Sequence, residues 1–184
     1  VDMVEVDNFR YAWRQAVKAD IPVLKGIMEA SILQLMNEFL TPNQVRASFE
    51  VMGLDTQLIE DGTYYAILEG DEIIGCGGWS ARQTLYGGDQ TKGRDARMLN
   101  PETDAARIRA MYTHPNYKRR GVGRMTLALC EAKAHAKGFA CFELMATLAG
   151  KELYQVCGYE NVEEETVKTS AGILVPLVKM RKWA

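Results

Sequence analysis

Tyr112-Thr113-His114-Pro115-Asn116-Tyr117-Lys118-Arg119-Arg120-Gly121-Val122-Gly123-Arg124 is the stretch that decides how this chain folds. The run Ala106–Thr113 before it reads as a strand, and Met125–Lys137 after it as a helix. The order is strand, turn, cationic glycine loop, helix. His114-Pro115 closes the strand, because proline gives no ladder donor and biases the residue before it to extended geometry. Gly121 and Gly123 allow a bend and bring backbone N–H groups close to a ligand without a Cβ in the way. Those groups also open a helix, so orphan donors and the helix dipole converge on one place. Lys118, Arg119, Arg120 and Arg124 add four positive charges, and no acidic residue lies between Tyr112 and Arg124. The combination suits a pyrophosphate. A lone G-x-G among basic residues also describes a solvated turn, so the spacing alone leaves both readings standing. The G-x-x-x-x-G-K-[ST] loop is absent, and a G-x-G-x-x-G fingerprint would need glycine at Thr126.

The rest of the composition makes that loop more informative. The chain has 184 residues, 47% hydrophobic and 25% charged, with a net charge of −2. This is an ordinary globular composition, with length for one domain over residues 1–184. A net charge near zero gives no general pull towards nucleic acid or membrane. Cys76, Cys130, Cys141 and Cys157 form no C-x-x-C pair and there are two histidines, so no metal is expected. Each cysteine lies in an apolar run, as buried free thiols do in a reducing compartment. Val1–Arg10 is polar and acidic, and no apolar run has the length of a membrane span. The expectation is a cytoplasmic protein.

Outward from the loop, the chain punctuates itself. Phe9–Val17 reads as a first strand. Asp20 reads as an N-cap with Pro22 in the first turn of a helix from Ile21 to Asn37. Thr41-Pro42 opens a second helix by the same signal, with Val45, Phe49 and Met52 as its buried stripe. Thr63–Leu68 and Glu72–Ser80 form a hairpin around Glu69-Gly70-Asp71-Glu72. Gly75, Gly77 and Gly78 in its second strand call for a bulge or a close backbone approach. From Arg82 to Thr103 no period survives, so this long loop is functional, mobile or a plain insertion. After the glycine loop, Met125, Leu129, Ala132 and Ala136 line one helix face and Gly138 caps the end. Phe139–Met145 follows a crossover and should run parallel to Ala106–Thr113. Thr147 starts a short helix through Val156. Tyr159–Thr169 and Ile173–Trp183 close the chain as an antiparallel pair, with Pro176 arguing for an edge or a bulge. The order β-α-α-β-β-β-α-β-α-β-β is an α+β mixed sheet with helices on its faces.

With I-R-A-M-Y-T-H-P-N-Y-K-R-R-G-V-G-R-M-T-L followed by G-K-E-L-Y-Q-V-C-G-Y, the chain resembles the GNAT superfamily of acyl-CoA-dependent N-acyltransferases from Phe9 to Trp183. The resemblance implies a mostly antiparallel central sheet with one splayed parallel strand pair. Lys118 stands where the family pattern has Arg or Gln ahead of Gly121 and Gly123, and offers a point charge in place of a planar fork. The resemblance implies acetyl-CoA as co-substrate, its pyrophosphate on the N–H groups from Arg120 through Gly121, Val122 and Gly123 to Arg124, assisted by Lys118 and Arg119. It further implies a pantetheine arm added like a strand along Met111, Tyr112 and Thr113. Tyr154, four residues before Gly158, matches the family's general acid, although a core tyrosine on an amphipathic helix would look the same. Tyr159 reads as core. Cys157 as an acyl-carrying nucleophile lacks a histidine nearby in sequence. Thr147 and Gly150 replace the family's Asn and Ala. Arg107 occupies the position of a glutamate base found in some members and cannot accept a proton. Either another carboxylate then acts through water, with Glu29 and Glu38 as candidates, or the amine arrives already neutral. The implied reaction is direct acetyl transfer to a primary amine, small molecule or peptide, with the oxyanion on backbone N–H near Tyr112. The alternative is a non-catalytic acyl-CoA-binding domain, and a third is a nucleotide-binding module that uses the loop alone. The implied partners are acetyl-CoA and an amine, with no nucleic acid and no membrane; a homodimer is compatible with this.

Overall fold

The structure, a computed structural model, describes residues 9–184. Residues 1–8, part of the expected 1–184 domain and of the polar Val1–Arg10 segment, lie outside the described residues. Seven strands form one sheet: β1 (Ala12–Gln15), β2 (Tyr64–Glu69), β3 (Glu72–Ser80), β4 (Ala106–Thr113), β5 (Cys141–Thr147), β6 (Glu160–Lys168) and β7 (Leu174–Trp183). Their spatial order is β1-β2-β3-β4-β5-β7-β6. Every neighbouring pair is antiparallel except β4 and β5. The α+β mixed sheet expected from the sequence is therefore what forms.

Alternation along the strands sends side chains to two cores. Tyr65 and Ile67 of β2 join Ile74, Trp79, Ile108, Phe142 and Leu144 in one cluster. It packs on α4 (Val122–His135) through Met125, Leu127, Leu129 and Cys130. Tyr64 and Ala66 face the other way, with Cys76 and Tyr112. That face is covered by α1 (Ile21–Leu35), α2 (Pro42–Val51) and α3 (Thr56–Glu60) through Leu24, Ile32, Val45 and Leu58. Each fully buried Leu or Ile here stabilises the fold by about 1.5–3 kcal/mol.

Local chemistry sets the ends of the helices. Thr41 Oγ1 accepts from Gln44 N–H at 3.2 Å, and Thr41 N–H donates to Gln44 Oε1 at 3.0 Å. This is a capping box with Pro42 behind it. Asp20 is the N-cap residue of α1, as expected, but its side chain makes no capping bond. It ends a 3₁₀ turn (Lys18–Asp20), and its carboxylate accepts from Arg14 at 2.7 and 2.9 Å and from Val17 N–H at 2.8 Å. Pro22 alone marks the start of α1. The helix α3 was absent from the sequence reading: five residues are too few for a period to show, although Asp55 caps it by accepting from Gln57 N–H at 3.1 Å. Ala136 lies past the end of α4 and is exposed. Pro176 does not mark an edge strand. β7 is internal and β6 is the edge. The β7 pairing with β5 reaches only Leu177, so at Pro176 the neighbour is β6 alone, through Thr166. The β6–β7 bulge falls at Asn161/Glu163 instead.

Candidate active site

The parallel pair opens almost as soon as it forms. β4 and β5 pair at Ala106↔Phe142 and Arg107↔Glu143, yet β4 continues to Thr113 and β5 to Thr147. Part of the cause lies in the β3–β4 ladder. Gly78 faces Arg109 and Cys76 faces Tyr112, so Gly77 alone spans Ala110 and Met111. The extra residue bends β4. Ala110 takes a left-handed φ of 50°, a conformation that costs an L-residue roughly 1–2 kcal/mol. Its carbonyl is held by the buried Tyr64 hydroxyl at 2.7 Å. Gly77 has to be glycine, since a Cβ there would lie 2.7 Å from Thr126 Cγ2 and 2.8 Å from Met111 Cγ.

Between the diverging strands lies a cleft of roughly 860 Å³. Met111, Tyr112, Thr113, Lys118, Arg119, Gly121, Val122, Gly123, Arg124 and Tyr154 all stand on its wall. Arg120 does not: its guanidinium stacks over the Tyr117 ring at 5.3 Å, and its N–H donates to Tyr117 carbonyl at 3.3 Å. The available donors are therefore those at the helix start. Gly121 caps α4 with φ 84°, and the first intrahelical bond runs from Met125 N–H to Gly121 carbonyl at 3.0 Å. By helix geometry the N–H groups of Val122, Gly123 and Arg124 precede that bond. Gly123 also lets α5 (Lys151–Val156) come close, because a Cβ would sit 2.9 Å from Leu153 Cδ2. Arg119 and Arg124 are exposed. Lys118 Nζ reaches Glu38 Oε1 at 2.8 Å across the cleft mouth.

Tyr154 comes from α5, and its hydroxyl meets Met111 Sδ of β4 at 3.9 Å. The ring packs edge-on against Tyr159 at 6.0 Å. Burial pushes the Tyr154 hydroxyl well above the ordinary tyrosine range, with smaller contributions from Cys130 and Cys157. It therefore holds its proton at neutral pH. Tyr112 is raised as well, chiefly by burial, but its hydroxyl is committed to Gly53 carbonyl at 3.2 Å. Tyr159 is core, as expected, at 2% exposure. Cys157 lies off the cleft wall, and burial raises its thiol more than Arg124 lowers it. Such a thiol is a poor nucleophile. Thr147 Oγ1 accepts from Gly150 N–H at 3.2 Å, which starts the turn into α5.

Of the two carboxylates considered as bases, Glu38 stands on the wall and Glu29 is exposed away from it. Arg107 is fixed by a buried ion pair with Glu143, which Arg181 also holds. The sequence reading missed Arg109. It is 3% exposed, lines the cleft, and donates to Asp55 Oδ2 at 3.0 Å and Gly87 carbonyl at 2.8 Å. Burial lowers its hold on the proton, and the Asp55 carboxylate opposes that. The signal was present as Arg-Ile-Arg in a strand that should be buried, two cations on one face that require partners.

Those partners tie down the segment from Arg82 to Thr103. Arg107 donates to Gln83 carbonyl at 3.4 Å and Arg109 to Thr84 carbonyl at 3.3 Å. Gln83 N–H donates to Arg97 carbonyl and Thr84 N–H to Asp95 carbonyl, both at 2.8 Å. The loop reads as period-free because its order comes from isolated bonds across itself and from arginines on another strand. Leu85, Tyr86 and Gly87 bring it to the cleft.

Comparison with known proteins fits this geometry. The model of the acetyltransferase (GNAT) family matches residues 30–159, and the chain belongs to that family. Among solved structures, a GCN5-related N-acetyltransferase from Rhodopseudomonas palustris superposes with a TM-score of 0.70 at 21% identity, covering 95% of this chain and 96% of its own. The paia N-acetyltransferase of Thermoplasma acidophilum, solved with coenzyme A, gives 0.63 at 11% identity over 96% and 100%. A ribosomal-protein-alanine N-acetyltransferase from Brucella melitensis gives 0.63 at 17% over 94% and 99%. Comparison with curated proteins gives no match. Among the described residues no helix is long and apolar enough to cross a membrane, and no cluster of His, Cys, Asp or Glu is placed to hold a metal.

Proposed function

We propose that the protein transfers an acetyl group from acetyl-CoA directly to a primary amine in this cleft. The observation that carries the reading is the splay. From Ile108 to Thr113 the β5-facing edge of β4 lacks a strand partner, with the start of α4 at its far end and Tyr154 across from it. An extended amide-bearing arm satisfies such an edge as an added strand would. The pyrophosphate lies on the N–H groups of Val122 to Arg124, with Lys118, Arg119 and Arg124 around it. Family membership and the coenzyme A in a structural neighbour support that ligand.

Chemistry then follows from position. A neutral amine attacks the thioester carbonyl, backbone N–H near Tyr112 stabilises the oxyanion, and the C–S bond breaks. Tyr154, kept protonated by burial, gives its proton to the departing thiolate and is reprotonated by the proton that the attacking nitrogen loses as the amide forms, passed directly or through water. A non-catalytic acyl-CoA-binding domain would have no use for a hydroxyl committed only to a sulfur at 3.9 Å. Calorimetric titration with acetyl-CoA, repeated with ATP present, together with thiol release on adding amines, tests the proposal. Acetyl-CoA binding that ATP does not displace, followed by amine-dependent release of CoA, is expected. Displacement by ATP, or binding with no amine releasing CoA, would contradict it.

A further inference from the structure

Behind Tyr154 lies a polar cluster that takes no part in the cleft wall. The helix that carries Tyr154, α5, is six residues long, and none of them is fully buried. Its N-cap, Gly150, makes no side-chain bond to the first turn. So short a helix has little stability of its own, and the direction of the Tyr154 ring is set by what packs on it. In front, its hydroxyl meets the thioether of Met111 at 3.9 Å, a weak acceptor. Behind, the contacts are firmer. The Tyr159 ring lies edge-on to it at 6.0 Å, and Tyr159 N–H donates to Tyr154 carbonyl at 2.9 Å. Lys182 of β7 places Nζ 5.8 Å from the centre of the Tyr159 ring and 2.8 Å from Glu131 Oε2 of α4. Its stem passes the turn at Gly158, with Cε 3.6 Å from where a Cβ would stand. Glu131, Tyr159 and Lys182 all stand off the cleft wall.

Among the described residues, two buried side-chain polar atoms lack a hydrogen-bond partner, Glu131 Oε1 and Tyr159 OH. Both belong to this cluster. Burial raises the Tyr159 hydroxyl most, and Glu131 raises it further, so the two groups are neighbours. An apolar pair in their place would spare the fold the desolvation of a carboxylate and a hydroxyl. A cost of this kind, gathered behind one side chain of the cleft, is expected where position matters more than stability. Resting on Tyr154 as the proton donor, we propose that Glu131 is a positioning residue for it, acting through Lys182 and Tyr159. Glu131 fixes the Lys182 ammonium, and that charge fixes the Tyr159 ring. The Tyr159 ring in turn sets the angle at which Tyr154 meets the open edge of β4. A donor displaced by about 1 Å loses much of its effect, up to about 10²-fold.

The test is a double-mutant cycle read in single turnovers of acetyl-CoA. The amine is whichever of spermidine, kanamycin, 2-phenylethylamine or an alanine-terminated peptide releases CoA fastest. Glu131→Gln should slow the step about tenfold and leave calorimetric acetyl-CoA affinity unchanged. In the Tyr154→Phe background the same substitution should change the rate by less than about twofold, because no donor is left to misplace. Lys182→Met should repeat the loss, and Lys182→Arg, which keeps the charge on ring and carboxylate, should stay within about threefold of the wild type. The Lys182 side chain is 26% exposed, so its variants carry the test even where Glu131→Gln does not fold. Equal losses in both backgrounds mean a plain structural effect and overturn the proposal. So does a wild-type rate in Glu131→Gln, or a loss in Lys182→Arg equal to that in Lys182→Met. A wild-type rate in Tyr154→Phe alone, or CoA release by none of the four amines, overturns the reading on which the inference rests, and either is seen before any Glu131 variant is made.

Discussion

Tyr154→Phe separates the chemistry from the fold more cleanly than any other change at this site. The substitution keeps the ring, its edge-on packing on Tyr159 at 6.0 Å and its share of the cleft wall. It removes one hydroxyl whose contact within the protein is Met111 Sδ at 3.9 Å. A thioether is a weak acceptor, so the folded state should lose no more than about 0.5 kcal/mol, the low end for a hydrogen bond. The chemical step should lose far more. General acid catalysis is worth about 10²–10⁴, and a thiol of pKa about 8.5 leaves fairly well unaided, which places the loss near 10². That is a barrier increase of about 2.7 kcal/mol. Because burial raises the Tyr154 pKa, the wild-type hydroxyl stays protonated well into the alkaline range, and the wild-type single-turnover rate should show no tyrosine titration near pH 10. Rapid-quench single turnovers with an amine that releases CoA keep product release from masking the step. The effect should appear in kcat and not in acetyl-CoA affinity. A wild-type single-turnover rate in the folded variant would refute the proton-donor role and leave Tyr154 as packing.

Other consequences can be checked independently. Gly123→Val places a branched side chain between the phosphate donors and Leu153, 2.9 Å from the Cβ position, and calorimetry should show acetyl-CoA affinity falling at least tenfold, about 1.4 kcal/mol. Burial alone would raise the Glu143 carboxyl, but Arg181, Arg107 and Lys179 together hold it below the ordinary value. The stability it contributes is therefore present above the unfolded pKa of about 4.3 and lost as pH falls through the lower folded value. Chemical denaturation of Glu143→Gln should show a loss of about 3–5 kcal/mol at pH 7 and a flatter acid limb than the wild type. Hydrogen exchange across residues 82–103 should be slow at Gln83, Thr84, Asp95 and Leu99, whose N–H groups are bonded, and fast around Lys92-Gly93; uniform fast exchange would restore the mobile loop, one of the readings the sequence left open.

The sequence carried the sheet, because strand periods, the Glu69–Glu72 turn and the crossover around Gly121 are local signals. It carried most of the cleft wall around the glycine loop for the same reason, since loop charge and helix start lie within a dozen residues. What escaped it was non-local. Asp55, Arg94 and Arg109 meet from three separated segments, with Arg94 Nη1 at 2.9 Å from Asp55 Oδ1. Arg120 reads like its neighbours as a phosphate ligand, yet Tyr117, three residues earlier, turns it aside. Asp20 reads as a cap until Arg14 takes its carboxylate. Pro176 reads as an edge because sequence does not reveal that β6 lies outside β7.

The central claim is that acetyl-CoA lies in the opening between β4 and β5 with its pyrophosphate at the start of α4. Hydrogen–deuterium exchange with and without saturating acetyl-CoA measures this at the backbone groups concerned. Protection should rise along Ile108–Thr113 and at Val122–Arg124, and stay unchanged in the separate hollow lined by Arg14, Asp20 and Asp71. Protection that rises elsewhere, with β4 and the start of α4 unaffected, would contradict it.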